Sequence, residues 1–141
     1  MMKVKKVLLV DDDDTFIFLA TTSINKLELN ISIETFSDGQ KAINYLKLSA
    51  DSDENIPELI FVDINMPYLD GWGFFNEFLK LKSEFKKEVI VYLVSSSDDP
   101  IDLDKAKELE NEIGYLVKPV SKSDFLQIIE LYPEKFNKEI Q

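Results

Sequence analysis

The stretch IFVDINMPYLDG, residues 60–71, decides how this chain is read. An apolar, β-branched run from Leu59 to Val62 reaches one carboxylate, Asp63, and stops. Asn65, Pro67, Asp70 and Gly71 follow at once, and these are turn formers rather than strand formers. A short run of this kind, bounded by breakers, predicts a buried strand that ends in an acid. The pattern recurs in VLLV before Asp11 and Asp12, in VIVYLV before Ser95, and in YLV before Lys118. In open parallel sheets, ligands bind at the carboxyl ends of strands. Three acids, a hydroxyl and an ammonium at four strand ends therefore predict one site.

Outward from that stretch, the chain alternates strand and helix. Strands are predicted at Lys5–Val10, Ile31–Phe36, Leu59–Val62, Val89–Val94 and Tyr115–Val117. Between and after them, helical spacing predicts Thr15–Leu27, with Phe16, Leu19, Ala20, Ile24 and Leu27 inward, and Gln40–Leu48, with Ala42, Ile43 and Leu46 inward. It also predicts Trp72–Leu81 with Phe74, Phe75, Phe78 and Leu79 on one side, and a helix from Pro100 to about Glu112 with Leu103, Ala106 and Leu109 inward. Gly114 is expected to end that helix. A last helix runs from Ser121, a capping candidate, to about Leu131, with Pro133 as its stop. Residues 50–57 (ADSDENIP) read as a solvated surface loop, and 84–88 as a charged connection. Strict alternation implies a parallel sheet with helices on both faces, an α/β fold. Right-handed crossovers then bring the five strand ends to one edge. The expected organisation is one domain over 1–133 and a C-terminal tail over 134–141 that frays or extends the last helix.

Composition narrows the chemistry. The chain has 141 residues, 45% apolar and 30% charged, which is a globular composition with room for one core. No apolar run approaches the roughly 18 residues that span a bilayer, and the run after MMKVKK is too short for a signal-peptide core. A cytoplasmic protein with no membrane partner is expected. Without cysteine there is no disulfide framework or thiolate metal site, and without histidine the commonest general base and transition-metal ligand are missing. A metal must be held by oxygen, which points to Mg2+ or Mn2+. The net charge of −11 argues against direct nucleic-acid binding. Asp11, Asp12 and Asp63, brought together, would repel one another unless a proton or a cation neutralised them.

These residues resemble a known family. VLLVDD, VDINMPYLDG, LVSSS and YLVKP stand in the order and spacing of response-regulator receiver domains, the phospho-accepting half of two-component signalling. The resemblance covers nearly the whole chain. It implies a flavodoxin-like, doubly wound (βα)5 fold with a five-stranded parallel sheet in the order 2-1-3-4-5. It implies that Asp63 accepts a phosphoryl group from a partner phosphohistidine. Asp12 would bind Mg2+ directly, Asp11 mainly through water, and Asn65 through its backbone carbonyl. Ser95 would bond the phosphoryl group, Lys118 would pair with the modified carboxylate, the Lys118-Pro119 bond would be cis, and Tyr115 would be an aromatic switch. The implied protein is a signalling switch that catalyses only its own phosphorylation and dephosphorylation, not an enzyme with turnover. The partners implied are a sensor histidine kinase or a histidine phosphotransfer protein. With no effector domain after the fifth helix, the output is expected through the face of helix 4, strand 5 and helix 5, onto a downstream protein or a second copy. Ser95 stands where threonine is more frequent and Ser96 where a smaller residue is usual. Asn65 and Ser97 are poor bases for orienting water, so slow self-dephosphorylation, over minutes to hours, is expected.

A rival resemblance is to haloacid-dehalogenase-type phosphohydrolases, through Asp11, Asp13 and Thr15 as D-x-D-x-T after a strand. It would make Asp11 the nucleophile and Asp13 the acid-base. It lacks the acidic pair that family places after its lysine, and it gives Asp63 no role. A third reading is a receiver fold used for docking without phosphorylation. Such degenerate receivers usually lack an acid or the lysine, and this chain keeps all of these positions.

Overall fold

In the computed structural model, residues 5–96, 99–109 and 113–132 are described. The tail, Pro133, Ser97 and the expected end of the fourth helix near Glu112 lie outside them. The strands are β1 (Lys5–Val10), β2 (Ile31–Phe36), β3 (Leu59–Asp63), β4 (Ile90–Ser95) and β5 (Gly114–Val117). The helices are α1 (Asp14–Asn25), α2 (Gly39–Ser49), α3 (Gly71–Leu81), α4 (Pro100–Glu108) and α5 (Lys122–Leu131). A 3₁₀ turn at Lys82–Glu84 occupies part of the charged connection. All pairings are parallel, and the sheet order is β2-β1-β3-β4-β5, as expected.

The two-residue period of the strands sorts side chains onto two cores. Leu8, Val10, Ile60 and Val62 join residues of α2 and α3 on one face. Val7, Leu9, Leu59 and Phe61 join residues of α1 and α5 on the other. Strand β3 is central and buried along its whole length, so it reads as a continuous apolar run. Fully burying each such side chain contributes about 1.5–3 kcal/mol. Helix starts follow their capping residues. Asp13 accepts from Thr15 and Phe16, Asp38 from Lys41, and Asp70 from Gly73, while Ser121 and Asp124 form a capping box.

Some expectations need correction. Helix α1 ends at Asn25, not Leu27, and Leu19 is 53% exposed because α1 seats Phe16, Ala20 and Ile24 on the sheet instead. In α3, Leu79 is 38% exposed and Leu81 and Trp72 take the inward places. In α4 only Ala106 is buried, and Leu103 and Leu109 are half-buried. Gly114 does not terminate a helix; it opens β5, where a Cβ would lie 2.3 Å from the Tyr92 ring. The 50–57 segment is less free than its polarity suggests. Ile56 is fully buried, the Tyr45 hydroxyl donates to the Asn55 carbonyl, and Lys87 donates to that of Asp53. The buried Glu58 accepts from the Lys6 backbone and pairs with Lys87.

Candidate functional site

Sheet register assembles the site. Val10 lies beside Val62, so Asp11 and Asp63 leave adjacent strands at the same level. Asp63 lies beside Val94, and Ser95 beside Val117, which puts Ser95 and Lys118 next along the same edge. Backbone bonds fix these exits: Asp11 N–H to the Phe36 carbonyl at 3.0 Å, Ile64 to Val94 at 2.9 Å and Lys118 to Ser95 at 2.7 Å. The Lys118-Pro119 peptide is cis. Asp11, Asp63 and Ser95 are buried, Asp12 is exposed, and Tyr115 is half-buried against the core on the α2 and α3 face.

The carboxylates of Asp11, Asp12 and Asp63 each offer an oxygen within 4.8 Å of the others. Lys118 Nζ stands 2.8 Å from Asp11 Oδ2 and 3.8 Å from Asp63 Oδ1, over the ring of Phe16 at 4.6 Å from its centroid. Asp11 Oδ1 accepts from the Asp13 N–H at 2.8 Å. Its Oδ2 is buried and has no hydrogen bond, so the approach of Lys118 is an ion pair without regular hydrogen-bond geometry. Burial, and next the charge of Asp11, push the Asp63 carboxyl up to about 6; Lys118 and the backbone bond from Asn65 act in the opposite direction. One ammonium among three acids leaves the cluster short of positive charge. Three hard oxygen donors, one with an unbonded lone pair, fit a divalent cation of the Mg2+ kind.

The structure thus brings Asp11, Asp12, Asp63 and Lys118 together, with Ser95 at the neighbouring strand end. Asn65 sits in the exposed turn after β3 and donates its backbone N–H toward Asp63. Ser96 is exposed. Asp13, the acid-base of the phosphohydrolase reading, has its carboxylate committed to capping α1. Two features escaped the sequence reading. Helical spacing gives Phe16 a place in the core alone, although its ring also faces Lys118. Trp72 was not assigned a role; its indole Nε1 donates to Asp102 Oδ1 at 3.0 Å, and Lys105 Nζ lies 4.5 Å from its ring centroid. The signal available for Trp72 was its place directly after Gly71.

Comparison with known proteins agrees with this geometry. The family profile for the response regulator receiver domain matches residues 7–130. A two-component response regulator from Cytophaga hutchinsonii has a similar structure, with TM-score 0.79 and 35% identity, covering 97% of this chain and 100% of that one. The protein PilG of Pseudomonas aeruginosa is 33% identical over 131 residues, 93% of this chain and 89% of PilG. The chemotaxis protein CheY4 of Vibrio cholerae shares the fold at TM-score 0.69 and 22% identity, over 91% of this chain and 98% of CheY4. The chain belongs to the response regulator receiver family, the signalling switches of two-component systems. Among the described residues, no helix is long and apolar enough to cross a membrane.

Proposed function

We propose that the protein is a phosphoryl-accepting switch, in which Asp63 attacks the phosphorus of a partner's phosphohistidine and the new charge resets a protein-binding surface. The observation that carries this reading is the buried Asp63 carboxylate grouped with Asp11 and Asp12 at the carboxyl end of a parallel sheet, with the Lys118 ammonium 2.8 Å from Asp11 and 3.8 Å from Asp63. In the transfer, an Asp63 oxygen forms the bond to phosphorus as the bond to the donor's imidazole nitrogen breaks, and that nitrogen leaves with its electron pair. No proton need be moved by this chain, so the lack of histidine is no obstacle. The protein supplies alignment and charge. Lys118 offsets charge on the transferring oxygens and pairs with the modified carboxylate. Asp12, Asp63 and the Asn65 backbone carbonyl would hold Mg2+, with Asp11 acting mainly through water. When bound, the cation would neutralise phosphoryl oxygens during transfer.

Ser95 bonds the phosphoryl group in this reading, and Tyr115, half-buried on the next strand, follows its movement. The output face is α4, β5 and α5. Each of these elements presents one large exposed apolar residue, Ile101, Val117 and Leu131, which suits a protein partner or a second copy. The phosphoryl donor is a sensor histidine kinase or a phosphotransfer protein, and the expected slow self-dephosphorylation keeps the modified state available to a target. The test is acetyl phosphate with Mg2+, read by intact mass on the wild type, Asp63→Asn and Asp11→Asn. A single phosphoryl adduct on the wild type that Asp63→Asn loses supports the reading. An adduct that survives Asp63→Asn and disappears in Asp11→Asn would support the phosphohydrolase chemistry in its place. No adduct and no Mg2+ binding would leave a docking module.

A further inference from the structure

We propose that Trp72 is a positioning residue that couples the state of Asp63 to α4, its contacts with Asp102 and Lys105 holding α4 in the resting arrangement. The proposal rests on the phosphoryl-acceptor reading above and adds a route of regulation to it. Three observations carry it. First, one side chain of α3 grips α4 by both edge and face: the indole N–H bonds Asp102 at 3.0 Å, and the Lys105 ammonium lies over the ring at 4.5 Å. Second, the rest of α4 is lightly anchored, since Ala106 is its one buried residue and Leu103 is only half-buried. Elements with so little apolar burial are those that move at low cost. Third, Trp72 is tied to the acceptor strand. It is buried and follows Gly71, whose N–H donates to the Ile64 carbonyl at 2.9 Å. Gly71 packs so closely on β3 that a Cβ there would lie 2.7 Å from the Asp63 carbonyl oxygen.

The mechanical consequence follows from these attachments. Charge arriving on Asp63 attracts the Ser95 hydroxyl at the neighbouring strand end, and α4 begins at Pro100, a short way further along the chain. Helix α3 cannot follow, because Gly71 fixes its first turn to the backbone of β3. The two helices must therefore shift relative to each other, and the Trp72–Asp102 bond opposes the shift. The contact is a latch that favours the unmodified state, and it is made by Trp72, Asp102 and Lys105 rather than by Tyr115.

Beryllofluoride with Mg2+ is the probe, its binding followed by fluorine NMR, and Trp72 is the reporter, being the only tryptophan in the chain. Binding to the wild type is expected to red-shift the emission as the indole loses Asp102 and gains water. Asp102→Ala is expected to red-shift the unliganded protein and to lower the beryllofluoride midpoint by roughly fivefold. Asp102→Asn retains an oxygen that accepts from the indole and is expected to stay near the wild type. Lys105→Gln, at an exposed position that leaves folding undisturbed, is expected to fall between the two. A midpoint that is unchanged or higher in both Asp102→Ala and Lys105→Gln would overturn the latch, for the contact would then be packing alone. A wild type that binds no beryllofluoride, or binding that persists in Asp63→Asn, would overturn the acceptor reading and the latch with it.

Discussion

Asp63 sits in a site that works against its ionisation. Its carboxyl is pushed from the ordinary aspartate value of 3.8 up to about 6, first by burial and then by Asp11. Because the folded value lies above the unfolded one, the fold loses stability as pH rises from about 4 through 6, where Asp63 ionises. Asp63→Asn is therefore expected to stabilise the metal-free protein at pH 7 by about 1–3 kcal/mol, and by almost nothing below pH 4. Urea unfolding at several pH values checks this; a destabilised Asp63→Asn at pH 7 would contradict it. Mg2+ is expected to raise the melting temperature of the wild type at pH 7, and progressively less toward pH 5 as Asp63 takes up a proton. Asp63, Asp11 and Lys118 were legible in the sequence because each closes an apolar run. What no local pattern encodes is the pairing, Lys118 standing 2.8 Å from Asp11 and 3.8 Å from Asp63 over the Phe16 ring. Those distances depend on rotamers chosen by four separate segments.

At the scale of elements, two glycines set how closely pieces approach. Gly71→Ala would place a methyl 2.7 Å from both the Asp63 carbonyl oxygen and the Ile64 Cα, and backbone atoms cannot yield as side chains do. Gly114→Ala would meet the Tyr92 ring at 2.3 Å, and that ring is packed against Phe61, their centroids 5.7 Å apart. Each substitution is expected to cost about 1–3 kcal/mol by urea unfolding. Only Gly71→Ala is expected also to slow formation of the acyl phosphate, as read by intact mass, since it alone disturbs the acceptor loop. Gly114 is ambiguous in the sequence because glycine suits a helix C-terminus as well as a tight strand contact, and only the ring on β4 decides between them. The strands and all five helices were legible from periodicity, but the seated face was not always. Leu19 and Leu79 fit the apolar stripe and still face outward, because a helix on a flat sheet buries a narrower arc than its apolar residues span. The anchoring of residues 50–57 was hidden for the opposite reason: Glu58 looks solvated until Lys87 and the Lys6 backbone close around it.

For the whole molecule, the net charge of −11 acts as self-repulsion. In the absence of divalent cations, raising monovalent salt from about 0.01 M to about 0.15 M shortens the screening length from roughly 30 Å to 8 Å. The melting temperature is expected to rise over that range. A fall on scanning calorimetry would mean that the ion pairs, Lys6–Glu34 and Lys80–Glu77 among them, outweigh the repulsion. The order β2-β1-β3-β4-β5 has a consequence for synthesis as well. Asp11 and Asp63 emerge from the ribosome long before the ammonium at Lys118, which follows β5. A nascent chain halted before β5 carries Asp11 and Asp63 without the ammonium that stands against them. In the proposed phosphoryl-accepting role, responsiveness to a donor is expected to arrive late and together with folding, so that a half-made copy would not draw phosphoryl groups away from finished ones.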